Sequence, residues 1–415
     1  MQSHSNLARS IVSTSILAFA GAASADDPNP YFIGLNQAFG YQSNLYSSQT
    51  NPLSSPTSIT SVVFGVDQPF GRQRFYANGN VGYNYYFNEE ARVLNNNSYS
   101  LNMGLDWETI ERLSGTARLI ANQSLVYYAI AGAPPTENQK NIQNTGELDL
   151  TGRYGITPRV GLNLGYTYRT VNFSAPGFAY QEYRSNIAKL GVTYGQNSQL
   201  TVGLGLRYNW TDYPNYPQPF PSTDLGDNSV GKNLDFTAKW VPTGLSSLDL
   251  RLSLTDVSYT YNVGNDFHGF NGGLGWDWQP TGKIHTRLAI FGEPSYTANF
   301  YGFSGGEVRV NNSRFARAIR YSASYFATGK ASFNASIGLT KDYLSQSSEF
   351  TGTQYGSDLY TTVGLGVTYA PTINSQLACN VNYHDRTASD NAVRYGMSYP
   401  YSGTNFNCSA QLVLR

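Results

Sequence analysis

The chain has 415 residues, of which 40% are hydrophobic and 13% are charged, and its mean hydropathy is −0.37. It contains no run of 18 consecutive apolar residues, which excludes a bundle of transmembrane helices. Lys plus Arg and Asp plus Glu both number 27, and this balance excludes the basic bias that is typical of nucleic-acid-binding proteins.

The first 25 residues are typical of a secretory signal peptide. Arg9 supplies a positive charge, residues 11–21 form a short apolar stretch, and residues 23–25 read Ala-Ser-Ala, a typical cleavage site. We therefore expect residues 1–25 to be cleaved, residues 26–33 to form a short periplasmic tail, and residues 34–415 to form one barrel domain. A buried N-terminal helix is the less favoured alternative.

Most of residues 34–415 alternate between apolar side chains and small or polar ones. In residues 200–210 the alternate positions carry Leu200, Val202, Leu204, Leu206, Tyr208 and Trp210. Residues 160–168 and 248–254 show the same pattern. A period of two indicates β-strands with two chemically different faces. Over a whole chain, this pattern favours a closed barrel with lipid outside and water inside.

About eighteen strands are predicted, and most exceed the ~9–11 residues that cross a bilayer at barrel tilt. In chain order they are residues 34–45, 58–67, 73–87, 97–108, 113–128, 142–154, 159–173, 181–195, 199–212, 230–241, 245–262, 267–279, 283–300, 313–327, 331–344, 356–370, 375–387 and 404–415.

Short turns such as 109–112 and 280–282 alternate with longer polar connections such as 213–229 and 388–403. Short periplasmic turns and long extracellular loops are typical of outer-membrane barrels, and an even strand number returns both termini to the periplasm. The predicted fold class is therefore all-β, a transmembrane antiparallel up-and-down β-barrel of about 18 strands. A soluble propeller or sandwich, the alternative, would show a repeat of ~40–50 residues that we do not find.

Most ionisable side chains fall on the face opposite the apolar residues. An Arg or Lys that faces lipid near mid-membrane costs about 2–4 kcal/mol, so this placement predicts a water-filled lumen. The residues predicted to line it, as a candidate substrate path, are Arg118, Arg153, Arg159, Arg169, Lys189, Arg207, Lys239, Arg251, Asp277, Arg287 and Arg320. The alternative is a barrel whose interior is filled by side chains that pair with one another.

Signals for catalysis are weak. Residues 302–306 match G-x-S-x-G, but this nucleophile motif requires a strand-to-helix turn and here lies between two predicted strands. His384 precedes Asp385 without an evident serine partner, and the Cys and His residues lack the spacing of a metal site. We predict no enzyme activity, no metal and no cofactor, and keep a lipid-modifying enzyme as a minor alternative.

Cys379 and Cys408 fall on lipid-facing positions of the last two predicted strands. The periplasmic assembly route is oxidising. We predict a disulfide if the strand register places the two residues opposite each other, with two free thiols as the alternative.

Short motifs in the N-terminal third are similar to those of one barrel family. Residues 40–46, Gly-Tyr-Gln-Ser-Asn-Leu-Tyr, resemble its Tyr-Asp-Ser-Asn-Leu-Phe stretch, with Gln42 in place of the usual Asp. Residues 66–70 with 72–75 resemble its second-to-third strand turn, and residues 155–159 resemble a common barrel-turn phrase. On these motifs the chain resembles the EpsL-like exopolysaccharide-biosynthesis outer-membrane β-barrels, a branch of the β-barrel porins.

The resemblance implies a role in secreting or assembling a surface polysaccharide, and it supplies no catalytic residues. We therefore expect an outer-membrane conduit for exopolysaccharide export. Its expected partners are outer-membrane lipid and lipopolysaccharide, the polysaccharide, a separate periplasmic polysaccharide-export protein and the barrel assembly machinery, but not nucleic acid. A general diffusion porin and a non-transporting scaffold barrel remain as alternatives.

Overall fold

The computed structural model describes residues 29–126, 140–195, 198–217, 224–261, 266–294, 313–348, 352–395 and 397–415. The predicted signal peptide, residues 1–25, lies outside the described residues. Within the described residues the chain forms eighteen β-strands, two short 3-10 turns and one short helix, α1 (Asp390–Arg394). No helix in this part of the chain is both long enough and apolar enough to cross a membrane.

The strands, in chain order, are β1 (Tyr31–Gln42), β2 (Ser55–Phe70), β3 (Gln73–Tyr86), β4 (Asn96–Glu108), β5 (Leu113–Leu125), β6 (Ile142–Gly155), β7 (Val160–Phe173), β8 (Tyr183–Tyr194), β9 (Leu200–Pro217), β10 (Leu225–Thr243), β11 (Ser246–Tyr259), β12 (Phe267–Thr281), β13 (Ile284–Pro294), β14 (Ser313–Phe326), β15 (Ala331–Ser348), β16 (Gly352–Thr372), β17 (Ser375–Ala388) and β18 (Tyr401–Leu414).

The sheet closes on itself. Each strand pairs antiparallel with the strands before and after it in the chain, and β1 also pairs with β18, with Ile33 opposite Leu414. Closure leaves no unpaired strand edge, which is the requirement for a sheet that crosses lipid. The predicted fold class, an antiparallel up-and-down barrel of about eighteen strands, is confirmed.

Successive connections between the strands lie at opposite ends of the barrel. Each even-numbered strand from β2 to β16 is followed by a short turn. We call the end of the barrel that carries these turns the short-turn end. The opposite side, where β1 connects to β2 and β17 connects to β18, is the long-loop end. The N-terminal end of β1 and the C-terminal end of β18 also lie at the short-turn end.

Two hairpins extend further than the sequence pattern predicts. The prediction of a long connection at residues 213–229 is wrong, because β9 continues to Pro217 and β10 begins at Leu225. Likewise β15 continues to Ser348 and β16 begins at Gly352. Backbone pairing continues in these hairpins even where polar residues and prolines interrupt the alternation.

The outward face carries the apolar residues. In β9, Leu204 and Leu206 are 58% and 60% exposed, whereas the inward Arg207 is 3% exposed. Six successive even-numbered strands, from β6 to β16, each carry an exposed aromatic residue beside their short turn. They are Tyr154, Tyr194, Trp240, Trp278, Tyr325 and Tyr369. A ring of aromatic residues at one level is the girdle that marks a membrane–water interface.

A substitution at Leu252 tests which surface of the barrel faces lipid. It lies in β11 between Leu248, which is opposite the girdle residue Trp240, and the outward-facing Asp256. Replacing Leu252 with Arg should lower the free energy of unfolding by about 2–4 kcal/mol, because a charge would face the middle of the lipid. Urea unfolding in phospholipid vesicles measures the change.

Leu200 provides the matched control, because it is equally exposed but lies opposite Trp240 at the girdle level. The same substitution there should cost about 0–1 kcal/mol. Equal costs at Leu200 and Leu252 would contradict the position assigned to the membrane.

The disulfide lies on the outward face next to the seam of the barrel. In the β17–β18 register Cys379 is directly opposite Cys408, and their sulfur atoms are bonded. Both side chains share the outward parity of Leu377 and Phe406, which are 49% and 46% exposed. The bond therefore links β17 to the strand that closes the barrel against β1.

We predict that the purified protein contains this disulfide. Alkylation of the unfolded protein should add no label before reduction and two labels after it, as measured by intact mass. Two labels before reduction would show free thiols and contradict the prediction.

Candidate functional site

The candidate site is the inner surface of the barrel. All the sequence-predicted lumen residues except Arg159 lie on strands, at positions of inward parity. Arg159 lies in the short turn before β7, so its side chain is at the rim of the short-turn end. The inward residues, from β5 to β14, are Arg118, Arg153, Arg169, Lys189, Arg207, Lys239, Arg251, Asp277, Arg287 and Arg320.

The inner surface changes character along the barrel axis. Near the short turns the inward side chains of Arg153, Lys239 and His285 are exposed. Toward the long-loop end the inward ionisable groups are covered, with Glu293 and Asp342 both 0% exposed. Among the described residues, the inward ionisable side chains are therefore exposed near the short turns and covered toward the long-loop end.

One group of buried polar residues crosses the middle of the inner surface. Arg207 donates to both carboxylate oxygens of Asp235, over 2.9 and 3.1 Å, and the hydroxyl of Ser253 donates to the same carboxylate. Arg251 donates to Ser253 over 2.7 Å and forms an ion pair with Glu293. Buried charges are costly unless they are paired in this way.

A second row of hydrogen bonds connects to the first. Asn271 donates to the hydroxyl of Thr255 over 2.6 Å, and Thr255 donates to Asn233 over 2.6 Å. Asn233 in turn donates to the carbonyl oxygen of Arg207 over 3.3 Å. The two rows join β9 through β13 into one connected polar surface, in which each bond polarises the next.

The β17–β18 connection folds into the barrel. The Ser398 hydroxyl donates to the inward-facing Asp358 over 2.5 Å, and Asp358 lies 4.0 Å from Arg386. The Arg386 guanidinium lies 5.3 Å from the ring centroids of both Tyr360 and Tyr401. These contacts attach the connection to the inner surface of β16 and β17.

Helix α1 continues this contact. Ala392 and Met397 are fully buried, and they pack with Leu344 of β15. A Cβ atom added to Gly356 of β16 would lie 2.9 Å from the Ala392 Cβ, so the close approach of α1 to the strand requires glycine at this position.

Other connections contribute to the packing at the long-loop end. Three further clusters of buried apolar residues lie there, formed by Leu45, Tyr46, Tyr86, Ala91 and Leu94, by Val171, Tyr183, Tyr213 and Tyr216, and by Val126, Ala175 and Phe178. Asn44 also donates to the carbonyl oxygen of Ser402 in β18 over 3.0 Å. We call this end of the lumen, with its packed connections, the mouth.

The remaining part of the inner surface is rich in uncharged amides, and we call it the amide arc. It extends from β17 through β18 and β1 to β4. In this arc, inward-facing amide residues lie directly opposite each other on neighbouring strands. These pairs are Asn380 with Asn407, Asn382 with Asn405, Asn36 with Gln411, and Asn78 with Asn102. We call the inward charged residues of β5 to β14 the charged wall. Arg118 of β5 joins it to the amide arc by donating to Asn102 over 2.7 Å.

The sequence prediction missed several buried charged residues, namely Glu293, Arg314, Asp342, Asp358 and Arg386. Arg314 pairs with Asp342, and all five lie close to strand ends at the long-loop end. All five lie within the predicted strand bounds, and their inward parity matches that of the predicted lumen residues, so applying this parity to every ionisable residue of each strand would have found them. The amide pairs themselves carry no charge, so a search for ionisable residues did not reveal them.

The residues considered for catalysis do not form a described site. Residues 302–306 lie outside the described residues. His384 faces inward and packs against the rings of Tyr360 and Tyr401, at centroid distances of 6.5 and 5.8 Å. Among the residues that the structure describes, no group of three or more His, Cys, Asp or Glu is arranged to hold a metal ion.

Scans of protein family models and of curated proteins find no match. Among solved structures, the outer membrane protein opdK from Pseudomonas aeruginosa is 12% identical, covering 92% of this chain and 99% of that chain, with a TM-score of 0.49. The FrpB iron transporter from Neisseria meningitidis is 11% identical, covering 94% and 82%, with a TM-score of 0.46. A bacterial polysaccharide outer membrane secretin is 11% identical, covering 94% and 100%, with a TM-score of 0.37. Similarities this low transfer no function.

A substitution at Arg207 tests whether the buried polar surface stabilises the barrel. Replacing it with Ala should lower the free energy of unfolding by about 3–5 kcal/mol, because Asp235 would keep its charge without its guanidinium partner. The exposed Arg153 is the control, and its replacement by Ala should change the free energy by less than about 0.5 kcal/mol. Urea unfolding followed by tryptophan fluorescence distinguishes them, and equal effects would contradict the assigned role of Arg207.

Proposed function

We propose that the chain is an integral outer-membrane β-barrel that exports an exopolysaccharide through its lumen, together with a separate periplasmic export protein. The location is supported by the closed barrel, its apolar outward face and its aromatic girdle. We assign the short-turn end, with both termini, to the periplasm. The barrel assembly machinery would insert such a protein, and lipopolysaccharide would surround its long-loop end.

The observation that carries the proposed cargo is the amide arc. Polysaccharide hydroxyls both donate and accept hydrogen bonds, and Asn and Gln side chains offer both functions as well. Facing pairs such as Asn382 with Asn405 place donors and acceptors side by side along the barrel. A hydrated sugar chain can therefore exchange hydrogen-bond partners from one amide pair to the next along the arc.

The charged wall opposite the amide arc has a different role in this proposal. Arg207 with Asp235, Arg251 with Glu293, and Arg287 with Asp277 are ion pairs. In these three pairs each cation has a carboxylate partner, so the pairs hold the shape of the wall and contribute little net charge. The amide arc is then the path along which the cargo moves.

The packed mouth supports a gated exporter rather than a channel that is always open. Ser398 and α1 attach the β17–β18 connection to the inner surface, and Ala392 and Met397 of this connection form a buried apolar cluster with Leu344. In this proposal the isolated barrel is closed, and the cargo or the periplasmic partner opens it.

A general diffusion porin for small solutes is the second candidate. It is favoured by the exposed cations Arg153, Lys189 and Lys239, which face solvent in the lumen and could attract small anions. A porin of this kind would conduct steadily in a planar bilayer without a partner.

Deletion of the gene, followed by measurement of secreted polysaccharide, tests the proposal. We expect secretion to stop and to return when the wild-type gene is supplied. A variant with Asn382→Leu and Asn405→Leu should restore little secretion, because two facing amides are lost from the path. The matched variant with Gln at both positions keeps the amides and should restore secretion.

Two other results would contradict export. Normal secretion in the deletion strain, with altered uptake of small solutes, would favour the diffusion porin. Equal secretion by the Leu and Gln variants would show that the amide arc is not the path. Heat-modifiable gel migration of each variant verifies that the barrel has folded.

A further inference from the structure

Cations also occur on the outward face, toward the long-loop end. In two hairpins the strand register places an acidic residue directly opposite the cation. Arg184 of β8 lies opposite Asp212 of β9, and Lys232 of β10 lies opposite Asp256 of β11. Opposite charges in facing positions stabilise a strand pair.

The β14–β15 hairpin departs from this rule. Arg317 lies directly opposite Lys341, and both side chains are exposed. Their other neighbours in the register are Gly292 of β13 and Leu359 of β16, which carry no charge. Neither cation has an ion-pair partner among the described residues. Like charges in facing positions destabilise a strand pair, so an anion from outside the chain would stabilise this one.

The two cations converge on one aromatic ring. The Arg317 Cζ atom lies 4.9 Å and the Lys341 Nζ atom 5.5 Å from the centroid of the Tyr343 ring. Arg317 also lies 5.9 Å from the ring centroid of Phe315. Contacts with aromatic faces hold both positive groups over the same small area of the outward surface.

The position of this pair along the barrel axis indicates what the anion is. The next outward residues toward the short turn, Ile319 and Leu339, are 48% and 40% exposed and belong to the apolar band. Arg317 and Lys341 therefore lie where the apolar band ends on the long-loop side. Lipid headgroups lie at this level, with their acyl chains against the band.

We propose that Arg317 and Lys341 form a binding site for a phosphate group of lipopolysaccharide. The guanidinium and the ammonium donate to the phosphate oxygens, the acyl chains lie against Ile319 and Leu339, and Tyr343 contacts the glucosamine ring. The choice of lipopolysaccharide rests on the proposed orientation, in which the long-loop end lies in the outer leaflet. The site serves to hold the barrel at a fixed depth and does not depend on what the lumen carries.

Binding of deep-rough lipopolysaccharide to the purified full-length protein in detergent, followed by native mass spectrometry, tests the site. The double variant R317Q/K341Q should bind about tenfold more weakly or worse, because two charge-assisted contacts are lost. The variant K232Q removes an outward cation that has an acidic partner, and it should bind like the wild type. The swapped variant R317K/K341R keeps both charges and should retain binding.

Dephosphorylated lipopolysaccharide should bind the wild-type protein as weakly as R317Q/K341Q binds the intact lipid. Equal affinity of wild type and R317Q/K341Q would overturn the site. Phosphatidylglycerol that binds as tightly, through the same two residues, would overturn the assignment to lipopolysaccharide. Because purified protein is used, these results are independent of whether the barrel exports a polysaccharide.

Discussion

Backbone polar groups have no water to bind within a lipid bilayer, so each N–H and C=O group must find a partner in the protein. In this chain the pairing of β18 with β1 supplies the last set of partners. Once the sheet is closed, the parity of a residue decides whether it faces lipid or the lumen. The exposed leucines of β9, the ring of aromatic residues and the outward-facing Cys379–Cys408 pair all follow from this single constraint.

Closure also encloses the inward-facing charges. Near the short turns, water reaches residues such as Arg153 and Lys239, and they can remain exposed. Near the mouth, connections cover the inner surface, and burial without a partner would be costly there. The charges at that end are accordingly paired, as in Arg314 with Asp342 and Arg251 with Glu293.

The strand number and the inward placement of residues such as Arg118 and Lys239 could be predicted from the sequence, because both depend on a period of two along the chain. Arg159 lies in a turn, where residues do not alternate between two faces, so the period of two could not predict its position. The extension of β9 and β10 depends on pairing between the strands, which local alternation does not report. The contact between Ser398 and Asp358 joins residues 40 positions apart in the chain, and only the folded barrel brings them together.

The packed mouth limits how any cargo can pass. Opening it requires the β17–β18 connection to leave Asp358 and Leu344, which exposes Met397 and leaves the buried carboxylate without its hydroxyl donor. Each of these losses opposes displacement of the connection, so the contacts favour the state in which it stays attached to the inner surface. A ligand shifts such an equilibrium only by binding the open state more tightly than the closed one. In the proposed exporter, the partner or cargo would therefore have to make contacts that the attached connection does not offer.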